Sequence, residues 1–178
     1  MDTFAHGLAG ALIFSRSGYA GLLVGKIRPD VKPRHFDWTI PAAALFGMLP
    51  DLMSFGYVAV KHMTGGGRGR PPSEIIPDWV YAAYNLTHSL LIVAALVLLL
   101  FLVNRWLGIS ACAWLWHVIC DIPTHSKEFF PTPFLYPLSD LTMDGVPFMR
   151  PSVFISYWSI LFAAWILLFW FKRRKKIV

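Results

Sequence analysis

The chain has 178 residues, of which 56% are hydrophobic and 15% are charged, and its formal net charge is +6. This length suits one domain, residues 1–178, and the apolar composition excludes an ordinary soluble globule. The composition favours a membrane protein built from apolar helices.

Five apolar segments are predicted, at residues 4–24, 40–60, 84–106, 107–122 and 152–171. The first is rich in glycine, which permits close helix contacts, but Arg16 interrupts it. Its first residues carry Asp2 and His6 instead of a basic stretch, so we expect no cleavable signal peptide. A basic loop follows, with Lys26, Arg28, Lys32 and Arg34.

The later segments contain polar residues at unusual places. Pro50-Asp51 lies inside the second segment, and Asn85-Leu86-Thr87-His88-Ser89 opens the third. The loop at residues 61–77 is rich in glycine and proline, and it matches no phosphate-binding pattern. A Pro-rich loop at residues 123–151 precedes the last segment. The sequence therefore predicts an all-α, polytopic membrane helix bundle of four or five spans, with a Pro-rich outer loop between the last two.

The basic residues predict an orientation. A basic run, Lys172 to Lys176, directly follows the last apolar segment, as in cytoplasmic anchors against anionic lipid. This places the first loop and the Asn104-Arg105 turn inside, and the N-terminus and the Pro-rich loop outside. Lys61, Arg68 and Arg70 then fall on the outer side, against the rule. The alternative, a nucleic-acid-binding tail, is disfavoured, and no nucleic-acid partner is expected.

The stretch from Trp116 to His125 has the composition of a metal-binding motif. His117 and Asp121 are spaced i, i+4 and share one face of a helix. Pro123 is expected to end or kink that helix and to carry His125 into the following loop. The alternative is a helix end with a capped aspartate and a surface histidine.

The predicted topology brings six candidate ligands from four segments to the outer membrane level. They are His6, Asp51, His88, His117, Asp121 and His125. Ionisable groups within a membrane span are costly and usually pair with, or bind, something. Carboxylate with imidazole suits zinc, manganese or iron, and an open coordination position allows activation of water. Two ions bridged by one carboxylate are a further option, for which Asp121 is the better candidate.

Each candidate also has a purely structural interpretation. His6 would lie at the membrane interface, and Asp51 would N-cap a helix that restarts after Pro50. His88 or His117 would have its hydrogen bonds satisfied inside the bundle. His35 and His62 are expected to face solvent. The aromatic residues near the outer segment ends are expected to form an interfacial belt, namely Trp79, Tyr81, Tyr84, Tyr157 and Trp158.

The order of these motifs resembles the YdjM-like inner-membrane metal-dependent hydrolases, which are distantly similar to zinc-dependent phospholipase C. The motifs are His6, Pro50-Asp51, Thr87-His88-Ser89, and His117, Asp121 and Thr124, followed by Pro133-Phe134 and Pro137-Leu138-Ser139-Asp140. The resemblance covers about the whole chain, and only the order of the short motifs is specific. It implies a helical inner-membrane enzyme that holds one or two ions, with zinc expected, through His6, Asp51, His88, His117 and Asp121.

The chain departs from this family at three places. Ala83-Tyr84-Asn85 stands where a His-Arg-Gly-type run is frequent, Met53 where a second aspartate is common, and His125 where the family usually has proline. These departures are compatible with one ion instead of two, or with a different substrate. They make His125 a candidate replacement ligand or general acid.

We therefore expect hydrolysis of an ester or phosphoester in a membrane lipid or lipid-like substrate. Asp51 or His125 would handle the proton, and Asp140 is a further candidate contact. The cations available to a phosphate are Lys127, Arg150, Arg68 and Arg70. The alternative is a non-catalytic membrane metal-binding or transport protein, whose ligands would lie near the bilayer midplane. A purely structural membrane protein would leave the six ligands far apart.

Overall fold

The computed structural model describes residues 1–24, 36–67 and 71–175. His35, Arg68, Arg70, Lys176 and the cations of the first basic loop lie outside the described residues. The described part is helical and contains no β-strand. Its helices are α1 (Thr3–Phe14), α2 (Tyr19–Val24), α3 (Thr39–Ser54), α4 (Gly56–Thr64), α5 (Asp78–Thr87), α6 (Leu90–Val103), α7 (Arg105–Thr124) and α8 (Pro151–Lys175), with a short 3₁₀ turn at Ser73–Ile75.

Several of these helices are apolar enough to span a membrane. Three stretches qualify alone, Thr3–Val24, Arg105–Thr124 and Pro151–Arg174. Two pairs qualify only if each is counted as one bent span, α3 with α4 at 68° and α5 with α6 at 57°. The predicted all-α class is confirmed, and the described residues hold three to five candidate spans.

The breaks within the two bent pairs differ from the sequence prediction. α3 runs through Pro50 to Ser54, so Asp51 lies inside a helix and is not an N-cap. The segment predicted at residues 84–106 is two helices, because Ser89 N-caps α6 by accepting a hydrogen bond from the Ile92 amide. His88 therefore lies in the break between α5 and α6.

Small residues bring the backbone of α1 close to the backbone of α3 and to a side chain of α7 at the centre of the bundle. A Cβ added at Gly10 of α1 would lie 2.4 Å from the carbonyl oxygen of Ala43 in α3 and 3.0 Å from Cβ of Ala113 in α7. α6 covers α7 on one side, and α8 packs on α1 through Leu161 and Leu168. This packing sets the start of α1, the second half of α3 and the end of α7 beside one another.

The Pro-rich loop folds back over that end of the bundle. The amides of Gly145, Val146 and Phe148 donate to the carbonyls of residues 123–125 over 2.8–3.0 Å. On the other side, the Leu90 amide donates to the Phe134 carbonyl over 3.0 Å. The loop is therefore held both to the end of α7 and to the start of α6.

Candidate metal centre

Four side chains from three regions of the chain converge at this end of the bundle. Asp51 comes from α3, His88 from the α5–α6 break, and His117 and Asp121 from one face of α7. One ligand atom from each lies within 4.8 Å of the others. His117 Nε2 is 3.0 Å from Asp121 Oδ2, 3.5 Å from Asp51 Oδ1 and 3.2 Å from His88 Nε2. This spacing is compatible with one metal ion between them.

The cluster is nearly sealed from solvent. His88, His117 and Asp121 are fully buried, whereas 15% of the Asp51 side chain is exposed. Asp51 is therefore the most accessible of the four. Its second oxygen, Oδ2, accepts a hydrogen bond of 2.6 Å from the Thr3 hydroxyl, which fixes the orientation of the carboxylate.

Backbone carbonyls determine which nitrogen of each imidazole faces the centre. His117 Nδ1 lies 2.7 Å from the Gly47 carbonyl oxygen, and His88 Nδ1 lies 3.2 Å from the carbonyl oxygen of Tyr84. A carbonyl only accepts hydrogen bonds, so each Nδ1 carries the proton and donates it. In the neutral imidazoles both Nε2 atoms then direct their lone pairs into the cluster, which is the usual arrangement for metal-binding histidines.

The converging atoms are thus all hydrogen-bond acceptors. Asp121 Oδ2 is buried and has no hydrogen-bond partner. Buried polar atoms without partners cost free energy, and buried carboxylates cost more. A shared proton can satisfy only one pair of these atoms, whereas a divalent ion satisfies all four. Two carboxylates with two imidazoles suit zinc, manganese or iron.

His6, the fifth predicted ligand, lies on the far side of Asp121. Its Nε2 is 2.9 Å from Oδ1 of Asp121, the oxygen that does not face His88 and His117. Its ring stacks on His117 at 3.7 Å, and its Nδ1 is buried without a partner. The Met1 amino group also donates to Asp121 Oδ1 over 2.8 Å. The structure thus places His6 beside the four converging ligands, against the outer oxygen of Asp121.

His125 lies closer to the centre than a loop position predicts. It caps the end of α7, is 8% exposed, and has its Nε2 3.6 Å from Asp121 Oδ2. Its Nδ1 lies 3.0 Å from the Phe130 carbonyl oxygen, which turns Nε2 towards the cluster. Burial lowers the pKa of His125 below its ordinary value, although the nearby Asp121 raises it.

The remaining predicted residues lie outside the cluster. His62 is half-buried on α4 against Gly67, so its expected solvent-facing position is only partly correct. Lys127, Asp140 and Arg150 are exposed at the same end of the molecule.

The prediction for Tyr84 was wrong. An interfacial position is expected for it, yet it is 1% exposed and its ring stacks on His88 at 3.8 Å. Its hydroxyl donates to the Phe130 carbonyl over 2.9 Å and lies 3.3 Å from His125 Nδ1. The sequence indicates this contact in one way, because Tyr84 precedes His88 by four residues and a helix would place the two side chains one turn apart.

Comparison with known proteins found no matching family model, no matching curated protein and no matching solved structure. The function must therefore be inferred from the geometry of the centre itself.

Proposed function

We propose that the protein is a membrane-embedded, metal-dependent hydrolase that cleaves an ester or phosphoester of a lipid-like substrate. The observation that carries this proposal is the convergence of four acceptor atoms in an apolar helical bundle, from Asp51 and from the fully buried His88, His117 and Asp121. The order of the same residues in the YdjM-like hydrolases supports it. Zinc is the ion that we assign to the site.

The residues take distinct roles in this proposal. Asp51, His88, His117 and Asp121 would hold the ion. With an open coordination position, the ion would supply an activated water, whose pKa falls towards about 7, as the nucleophile. His125 handles the proton, because its Nε2 faces the cluster without belonging to the converging set. Asp51 is the other candidate for this step, since it is the most exposed of the four ligands.

A lipid-like substrate follows from the surroundings of the centre. Apolar helices surround it, so head groups at the membrane surface are the first molecules to reach it. The end of α8 carries Arg173 and Arg174, which stack on Phe169 and Trp170. Such aromatic and basic pairs suit a cytoplasmic membrane interface. We therefore place the C-terminal end of α8 in the cytoplasm of an inner-membrane protein and the metal centre towards the outer face.

Metal removal and a ligand variant test this proposal. Purified protein in detergent is expected to hold stoichiometric zinc by elemental analysis and to hydrolyse bis(p-nitrophenyl) phosphate. A chelator should abolish this activity and added zinc should restore it. His117→Ala should lose both metal and activity, whereas His62→Ala should keep both. A metal-free protein, with unchanged hydrolysis in His117→Ala, would refute the proposal.

Metal transport is the second candidate function, and one feature favours it. Asp51 lies one turn before the α3–α4 break, and His88 lies in the α5–α6 break. Transporters often bind their ions where helices are interrupted. Against transport, α1 and α3 are in backbone contact at Gly10, and the Ala113 side chain of α7 packs at the same position, which closes the bundle there.

Zinc uptake into proteoliposomes separates the two functions. With a fluorescent zinc indicator inside the vesicles, we expect no time-dependent rise in zinc above that of protein-free vesicles. Sustained zinc uptake that is lost in His117→Ala would refute the hydrolase proposal and support transport.

A further inference from the structure

A second feature lies next to the metal centre, between α5 and the Pro-rich loop. It is a cavity of about 380 Å³, which is large enough for a small polar head group. Side chains of α5 form one wall, and residues at 127–142 form the other. None of these residues belongs to the four converging ligands.

Tyr84 separates this cavity from the metal centre. Its side chain lines the cavity, while its ring stacks on His88 at 3.8 Å and its hydroxyl lies 3.3 Å from His125 Nδ1. Phe130 has the same double position, because it lines the cavity and its carbonyl accepts from both Tyr84 and His125. A ligand in the cavity is therefore one side chain away from the centre.

The charged lining of the cavity defines what it can bind. Glu128, Asp140 and Lys127 are among its lining residues, and they carry two carboxylates and one ammonium group. All three are exposed, and none forms an ion pair within the described part of the chain. The lining thus carries a net negative charge and offers unpaired acceptors. Carboxylates accept hydrogen bonds from hydroxyl and ammonium groups and repel anions.

An aromatic surface complements these charges. Tyr81 stacks on Phe130 at 4.5 Å with an interplanar angle of 10°, and 40% of Tyr81 remains exposed. An aromatic face is attractive to an ammonium group and to the C–H groups of a polyol, because it carries partial negative charge. The Asn85 amide, also in the lining, adds one donor and one acceptor group.

We propose that this cavity is the head-group subsite, and that it accepts head groups rich in hydroxyl or ammonium donors while excluding those that carry an added negative charge. The assignment rests on the proposed hydrolase for its role in the reaction. The binding preference itself depends only on the cavity and is measurable without any turnover.

Ligand-observed NMR tests the preference with the full chain in detergent and a chelator present. The probes are glycerophosphoethanolamine, glycerophosphoglycerol and glycerophosphoserine, which share the phosphodiester and differ in ammonium, hydroxyl and added carboxylate. We expect the first two to bind about tenfold more tightly than the serine compound, because its carboxylate faces Glu128 and Asp140. Comparing the affinities of glycerophosphoethanolamine and glycerophosphoglycerol shows whether the cavity prefers an ammonium group or hydroxyl groups.

The double variant Glu128→Gln, Asp140→Asn should reduce the preference to within about threefold, since both like charges are gone. Its melting temperature reports whether it remains folded. Asp78→Asn, an exposed aspartate of α5 outside the cavity, should leave the preference unchanged. Equal binding of the three probes, or a preference that persists in the double variant, would overturn the subsite. If the binding preference is observed but no hydrolysis is detected, the subsite is supported and the proposed hydrolase is refuted.

Discussion

Replacing Asp121 with asparagine is expected to empty the proposed metal centre and to abolish the proposed hydrolysis. Asp121 Oδ2 lies 3.0 Å from His117 Nε2 and 3.6 Å from His88 Nε2. Asparagine keeps the shape but removes the charge, and its amide NH₂ can donate to an imidazole lone pair that otherwise faces a cation. We expect metal affinity to fall by at least about 100-fold, the upper range for losing a mere supporting residue.

Competition with a chromophoric zinc chelator measures that affinity, and elemental analysis of the purified variant gives its metal content. Asp144→Asn is the matched control, because Asp144 is an exposed aspartate of the Pro-rich loop. It should retain the metal of the unmodified protein. Full zinc occupancy in Asp121→Asn would show that Asp121 is not needed to hold the ion.

Gly47→Ala is expected to have the second largest effect, through packing. A Cβ at Gly47 would lie 2.4 Å from the carbonyl oxygen of His6, so α1 and α3 must separate. The Gly47 carbonyl also accepts a hydrogen bond from His117 Nδ1 over 2.7 Å. A shift of this carbonyl would therefore reorient the His117 side chain. Overpacking of this kind costs about 1–3 kcal/mol. We expect a lower unfolding temperature together with weaker zinc binding.

Thermal unfolding in detergent, with and without zinc, measures both effects. Gly56→Ala is the control, because its Cβ would meet only the Leu52 Cβ at 4.0 Å, an ordinary contact. Alanine also favours the helix, so this variant should be as stable as the parent or slightly more stable. If the two variants unfold alike, backbone contact between α1 and α3 does not hold the centre together.

The ligands of the centre were predictable because charge is costly in an apolar segment. Asp51, His88, His117 and Asp121 stand out against their apolar neighbours, and a shared partner accounts for all of them together. The spacing of His117 and Asp121 also predicted their common face on α7. The apolar segments predicted the helical class for the same reason, since helices satisfy their own backbone groups in lipid.

The helix breaks and the residues that support the ligands were not predictable in the same way. The bend beside Phe55 occurs without a proline, whereas Pro50, which the sequence marks as a breaker, lies inside α3. The supporting contacts of Gly47 and Tyr84 come largely from backbone carbonyls, which every residue possesses. His125 gains its position from the Pro-rich loop, whose path depends on tertiary hydrogen bonds. No local pattern encodes such contacts.

The two bent helix pairs also bear on how the protein is made. α4 has 9 residues and α5 has 10, far fewer than the roughly 20 that a helix needs to insert by its own apolarity. In the membrane, short pieces of this kind find their place by packing against helices that are already there. Asp51 and His88 lie next to the bends that join these pieces to α3 and α6, so their positions depend on that packing. On the proposed function, binding of the ion would add free energy to that packing, so the supply of the ion would affect how much of the newly made protein matures.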